Sequence, residues 1–379
     1  MKLALLISSM RGGGAERVMA TLANGWAAHG IDVTLVTLAP RSNDRYPVDP
    51  AVTRIDLHQA GDSRNLLHAL ANNWSRIRTL RRTIRAHRPD AVISFIAKTN
   101  MLAIIATAGL RVPVIVAEHI FLGAKAPKGI WSKLHAPLYR RAAAVVTLTQ
   151  RGASYIEKNF GCPVIVIPNP VPFPSEVETT AVTPTARLDD GEDTGRRTLL
   201  AVGRLIPQKG FDLLIEAFAR IAAHRPKWDL CILGEGHLRK ELEQAIANRG
   251  LSDRVSMPGF TSEVRARMRQ ADLFVLSSRF EGFPMVLLEA MSEGLACVSC
   301  DCETGPGEMI RHGENGWLVP ANDVSALAEA LDALMQDPGL RRRLGERARG
   351  VTSTYSLPAV LDQWDTLIKS AVSHGTVLR

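Results

Sequence analysis

The sequence predicts an α/β protein made of two doubly wound, parallel-sheet domains, and three observations carry that prediction. Its 379 residues exceed an ordinary single domain of about 100–200 residues and suit two. Apolar runs of strand length alternate with helix-length segments in both halves, the pattern of a parallel sheet covered on both faces. Between the halves, Pro168, Pro170, Pro172 and Pro174 make a stiff, extended exit, and the tract that follows is rich in Thr, Asp, Glu and Gly. The expected divisions are a first domain at 1–174, a flexible linker at 175–197, a second domain at 198–355 and a final helical segment at 356–379.

Taken in order, the first half opens with a strand at 3–8, a glycine turn at 11–14 and a helix at 15–29. Strands follow at 33–38, 91–96, 113–117, 144–147 and 164–167. In the second half, strands at 199–202, 229–233, 255–257, 273–277 and 296–299 alternate with helices at 211–222, 238–248 and 263–271. Helices at 324–335 and 340–348 and an amphipathic one at 357–371 end the chain.

Composition narrows the class. A hydrophobic content of 46% is enough for two cores, and the net charge of +8 is lopsided. Residues 1–180 hold 22 Lys+Arg against 11 Asp+Glu, and the remainder holds 24 against 27. A basic first domain calls for an anionic partner, nucleic acid or an acidic membrane surface. No zinc-finger, RNP-like or helix-turn-helix pattern accompanies it, so nucleic acid is not expected. The apolar start runs into Arg11 and three glycines without a small-residue cleavage site, which reads as a strand rather than a signal peptide. The most membrane-like run, 101–117, is interrupted by Arg111 and Pro113 and reads as helix then strand. Five unevenly placed cysteines argue against a disulfide framework and for a reducing cytoplasm. Cys297, Cys300 and Cys302 crowd one strand exit without a fourth ligand, so no metal site is expected there.

One helix is unusual. Arg78, Arg81, Arg82 and Arg85 recur at i, i+3, i+4 and i+7 beside an apolar stripe of Trp74, Ile77, Leu80 and Ile84. The arginines are either solvated on an ordinary surface helix or meant for anionic lipid or a lipid diphosphate. Gly12, Gly13 and Gly14 invite a dinucleotide reading, but Arg17 stands where the third glycine is needed and no acid closes the next strand. A nicotinamide enzyme is therefore disfavoured.

The chemistry concentrates in the second half. After the strand at 273–277 comes Glu281-Gly282-Phe283-Pro284-Met285, turning into a helix that carries Glu289. If all eight steps from Glu281 were helical, the two carboxylates would lie about 12 Å apart, too far to share a proton but well placed to hold two parts of one polar ligand. Amides at the helix start suit an oxygen-rich group. After the strand at 199–202, Arg204 and Lys209 flank a turn at the carboxyl edge of the sheet, where open α/β folds bind ligands. Two acids for hydroxyls and two cations for a diphosphate describe a nucleotide-sugar site.

At these residues the chain resembles the retaining glycosyltransferases of the GT-B fold, glycosyltransferase family 4. The likeness rests on Glu281 and Glu289 with seven residues between them, Arg204 and Lys209, and the glycine turn from Gly12 to Arg17. It implies two Rossmann-like domains facing an interdomain cleft, with the final helix crossing back to brace the first. It implies a UDP-sugar donor bound without a metal or other cofactor, its diphosphate on Arg204 and Lys209, its sugar on Glu281 and its ribose on Glu289. Gly13 and Gly14 would approach the donor phosphate, His119 the donor sugar, Met257 and Gly259 the base, and Gly282, Phe283, Pro284 and Met285 the donor as well. Arg78, Arg81, Arg82, Arg85 and Lys125 would serve the acceptor or the membrane. The segment 300–306 is similar to a loop in members that use galactose or N-acetylgalactosamine donors. The implied acceptor is a polyprenyl-diphosphate-linked glycan at the cytoplasmic face of the inner membrane, and the protein is expected to be a peripheral monomer. A GDP-mannose-dependent mannosyltransferase, a sugar-phosphate phosphorylase and a non-catalytic membrane-bound scaffold are the alternatives.

Overall fold

The computed structural model describes residues 1–59, 66–124, 127, 129–171 and 195–374. Most of the expected linker and Lys125 lie outside these residues. The chain divides into two compact units, Met1–Pro170 with Leu357–Arg379, and Val171–Ser356.

In the first unit the strands are β1 (Lys2–Ile7), β2 (Asp32–Thr37), β3 (Thr53–Asp56), β4 (Ala91–Phe95), β5 (Val114–Glu118), β6 (Ala144–Thr147) and β7 (Val164–Val166). Between them run α1 (Gly14–Ala28), α2 (Leu66–His87), α3 (Ala97–Thr107), α4 (Ile130–Tyr139) and α5 (Gln150–Phe160). In the second unit β8 (Arg197–Val202), α6 (Phe211–Ile221), β9 (Trp228–Leu233), α7 (Arg239–Asn248), β10 (Val255–Gly259), α8 (Val264–Gln270), β11 (Leu273–Leu276), α9 (Met285–Ser292) and β12 (Cys297–Asp301) alternate. The short α10 (Pro306–Met309), β13 (Trp317–Pro320), α11 (Val324–Gln336), α12 (Pro338–Ala348) and α13 (Val351–Thr354) complete it. The last helix, α14 (Leu357–His374), returns to the first unit.

Among the described residues each unit holds one all-parallel sheet, in the orders β3-β2-β1-β4-β5-β6-β7 and β10-β9-β8-β11-β12-β13. Both are doubly wound Rossmann orders. In each, the connections reverse direction between the first and fourth strands, and the crevice outside their carboxyl ends is where such sheets bind ligands. The central strands are buried along their length because helices cover both faces, which explains their continuous apolar runs.

Two strands were missed in the sequence reading, β3 and β13. Each is four residues long, only partly buried and at the edge of its sheet; β3 (Thr53–Asp56) has no apolar run, and that of β13 is only Trp317-Leu318-Val319 before Pro320. Helix boundaries follow local chemistry: Thr149, Asp323 and Asp337 cap α5, α11 and α12 through their side chains. Leu80 and Ile84 of α2 join α3, α4 and α5 in the core on one face of the first sheet. Helix α14 packs on α1, where the Trp26 indole donates to Asp365 at 2.8 Å and Gly25 leaves room for Leu361.

Candidate active site

The second sheet reverses between β8 and β11, and the two predicted motifs follow those strands. Lys209 ends a single turn after β8, and its stem runs over Gly203. Its ammonium meets Glu281 Oε1 at 2.6 Å. The same oxygen accepts from Ser278 Oγ at 2.6 Å, which leaves Oε2 without a hydrogen bond among the described residues. Thr304 Oγ1 donates to the Glu281 carbonyl. Glu281 is thus fixed through one oxygen and its backbone while its second oxygen can accept from a ligand hydroxyl.

Backbone shape brings these loops into contact. Gly210 (φ +61°) starts α6, and a Cβ there would strike the Ser277 carbonyl. Gly305 (φ +97°) lets the 300–306 segment close on Pro284, whose Cδ would lie 2.6 Å from an added Cβ. That segment therefore abuts the Glu281 loop.

Helix α9 begins only at Met285, with Pro284 as its extended N-cap. The condition of eight helical steps from Glu281 to Glu289 is not met, because only those from Met285 onward are helical. The amides of Gly282, Phe283 and Met285 donate no hydrogen bond among the described residues, and no side chain caps the helix. They form a ready anion- or oxygen-binding end. Glu289 is buried in the second turn of α9. Arg204 is exposed in the turn after β8, and its guanidinium makes no ion pair among the described residues.

Sequence reasoning missed the brace that joins the two loops. The Arg279 guanidinium pairs with both Asp212 oxygens, at 2.8 and 2.6 Å, and also reaches the Pro207 carbonyl at 2.8 Å. Its backbone amide donates to the Gln208 carbonyl, and the Gln208 side chain donates to the Phe280 carbonyl. The hydrogen bonds to Arg279 hold the Asp212 carboxyl below its usual range. Nothing in the local pattern of either residue signals the partner 67 positions away.

At the residues expected to meet the base, two backbone carbonyls already accept hydrogen bonds within the unit. The Met257 carbonyl accepts from Arg239 at 3.0 Å and the Gly259 carbonyl accepts from the Gly234 amide at 2.9 Å. Arg239 is held in turn by Glu235, in the loop before α7, and by Glu243, one turn along α7.

The first unit is described by itself. Gly13 is extended and Gly14 opens α1, which has no side-chain cap. His119, just beyond β5, stacks on Phe95 with ring centroids 3.9 Å apart. Both of its ring nitrogens are buried and without a partner among the described residues, and burial pushes its pKa down to about 3. The imidazole is neutral and has one donor and one acceptor unused. On α2, Arg78, Arg82 and Arg85 are exposed and Trp74 is 67% exposed. Arg81 departs from the predicted common face. It donates to the Ala106 and Ala108 carbonyls, at 2.9 and 2.6 Å, and so holds the end of α3.

Cys297, Cys300 and Cys302 are buried thiols. Burial raises Cys300 to about 11 and raises Cys302 further, so Cys302 stays protonated and donates to the Ser278 carbonyl. No cluster of His, Cys, Asp and Glu able to hold a metal occurs among the described residues. None of the described helices is long and apolar enough to cross a membrane.

Known proteins match the chain domain by domain. The family described as "Glycosyl transferase 4-like domain" matches residues 13–170, and the one described as "Glycosyl transferases group 1" matches residues 182–351. The chain is 35% identical over 302 residues to an exopolysaccharide phosphotransferase of Streptomyces coelicolor, a match spanning 78% of this chain and 30% of that protein. Over 369 residues it is 27% identical to a Campylobacter jejuni protein, covering 97% of this chain and 98% of the other. That relative is named GalNAc-alpha-(1->4)-GalNAc-alpha-(1->3)-diNAcBac-PP-undecaprenol alpha-1,4-N-acetyl-D-galactosaminyltransferase. Among solved structures, sucrose-phosphate synthase from Thermosynechococcus elongatus matches with a TM-score of 0.82 at 19% identity, over 98% of this chain and 99% of that one, a likeness of the GT-B fold. One glycosyltransferase domain model thus matches in each unit of the chain, the 4-like domain in the first and the group 1 domain in the second.

Proposed function

We propose that this protein is a retaining glycosyltransferase that moves an α-linked hexose or N-acetylhexosamine from a UDP-sugar to a polyprenyl-diphosphate-linked glycan in surface-glycan assembly. The observation that carries the reading is the pairing of Lys209 with Glu281 beside uncapped amides at the start of α9. One cation, one half-free carboxylate and unused N–H groups suit a donor that is anionic at its diphosphate and rich in hydroxyls at its sugar. The acceptor class is supported by the undecaprenol-linked substrate in the name of the Campylobacter relative.

In this mechanism Arg204 and Lys209 stabilise charge growing on the leaving diphosphate, so that no metal is required. Glu281 Oε2 accepts from a sugar hydroxyl and Glu289 grips the ribose; in the first unit, taken by itself, the neutral imidazole of His119 offers its nitrogens to a donor hydroxyl. Attack comes from the face the diphosphate leaves, and a diphosphate oxygen takes the acceptor's proton. The C–O bond to the diphosphate breaks as the new glycosidic bond forms, with configuration kept. The exposed Arg78, Arg82 and Arg85 meet anionic lipid at the cytoplasmic face of the inner membrane. The test is a panel of UDP-sugars and GDP-mannose scored by released nucleotide with an extracted lipid-linked acceptor. Release from one UDP-sugar, dependent on acceptor, is expected. Release from none, or phosphate-dependent formation of a sugar phosphate, overturns the proposal.

A further inference from the structure

Strand β5 ends in two neighbours with different surroundings. His119 lies on Phe95 with unused nitrogens, whereas Glu118, only 3% exposed, is enclosed by polar groups from two helices. Glu118 Oε1 accepts from the Tyr139 hydroxyl at the end of α4 and from Asn100 Nδ2 in the first turn of α3, the latter at 3.1 Å. Asn100 Nδ2 also reaches the Ala117 carbonyl at 3.0 Å and the Tyr139 hydroxyl at 2.9 Å. His135 Nε2 stands 3.8 Å from the same Glu118 oxygen, and its ring packs edge-on against Tyr139.

This polar knot is costly to bury. An enclosed carboxylate is disfavoured by several kcal/mol unless it is well paired, and an apolar side chain at the same place would serve packing at least as well. The strain beside it points the same way. Ile96, a β-branched residue, sits at φ +74° between β4 and α3, and its amide is tied to the Ala117 carbonyl at 3.1 Å. Ala117 therefore receives both Ile96 and Asn100, and Glu118 receives Asn100 and Tyr139. The two residues before His119 are clamped to the starts and ends of the neighbouring helices, where strand pairing itself runs out.

We infer that Glu118, gripped by Tyr139 and Asn100, is a positioning residue that sets the His119 imidazole against Phe95. The inference rests on the reading of His119 as a group that touches the donor. Burial pushes the Tyr139 hydroxyl well above its ordinary pKa, so it remains a donor to Glu118 at every working pH.

The experiment is a double-mutant cycle on the full chain. Tyr139→Phe, Glu118→Gln, His119→Ala and the pairs Tyr139→Phe/His119→Ala and Glu118→Gln/His119→Ala are compared by thermal unfolding and by kcat and KM for nucleotide release from the donor found in the panel. Tyr139→Phe should keep its fold, lose about tenfold or more in kcat/KM, and have no further effect once His119 is alanine. Fully multiplying losses, or wild-type kinetics in folded Tyr139→Phe and Glu118→Gln, overturn the positioning role while His119→Ala remains impaired. Wild-type kinetics in His119→Ala overturn the assignment of His119 itself, and the positioning role with it. If Glu118→Gln fails to fold, Tyr139→Phe still decides the matter, because it removes one oxygen and little volume.

Discussion

Lys209 and Glu281 stand 72 residues apart in the chain and 2.6 Å apart in space, with side chains 15% and 7% exposed. The contact exists because β8 and β11 are sheet neighbours although their loops are distant in sequence. A donor diphosphate arriving at Lys209 meets a cation already aimed and partly desolvated. Glu281→Gln, Lys209→Ala and Arg204→Ala should each lower kcat/KM for nucleotide release by about 100-fold or more. Wild-type rates in any folded variant of the three would remove that residue from the mechanism.

Gly210 offers a test of the backbone that sets Lys209. Gly210→Ala meets both a left-handed φ and the Ser277 carbonyl, whereas Gly250→Ala, at φ +65°, has nothing within 4 Å of its new Cβ. The second substitution should cost about 1–2 kcal/mol of strain and the first distinctly more. Thermal unfolding of the two variants checks the order, and Gly210→Ala alone should also impair donor turnover.

His119 makes stability depend on pH. Its folded pKa of about 3 lies below the ordinary 6.5, so above pH 6.5 the ring is neutral folded or unfolded. As pH falls from 6.5 toward 3, the unfolded chain takes up a proton that the folded one refuses. Stability should drop by about 1.4 kcal/mol per pH unit in that window. Urea midpoints measured from pH 7 to 5 should fall more steeply for the native chain than for His119→Phe.

The α2 arginines separate into two kinds. Arg78, Arg82 and Arg85 changed together to Gln should weaken flotation with phosphatidylserine-containing vesicles by about tenfold or more, since each basic residue near such a surface contributes about 1 kcal/mol. Arg81→Gln should act on thermal stability instead, because it unties the Ala106 and Ala108 carbonyls. Unchanged flotation of the triple variant would leave these arginines merely solvated.

Much of this molecule was legible in one dimension. Buried central strands announce themselves as apolar runs, so β1, β4, β5, β8 and β11 were read to within a residue or two, and the Glu281 and Lys209 motifs were placed at the correct strand exits. The edge strands β3 and β13 were not, since β3 carries no apolar run and the Trp317-Leu318-Val319 run of β13 is cut short by Pro320. Ser278 and Thr304 escaped notice for another reason: small hydroxyl residues are common, and only their distances to Glu281 mark them.

The sequence by itself determined the alternation of elements, the two-domain plan and the identity of the charged residues, because hydrophobic periodicity and turn chemistry act over a few neighbouring positions. Tertiary structure alone decided which charges are committed and which are available. Arg279 is spent on Asp212 and Arg81 on the end of α3, while among the described residues Glu281 keeps one oxygen and His119 both nitrogens. That division depends on strand order and on partners tens of residues away, and no local pattern in the chain encodes it.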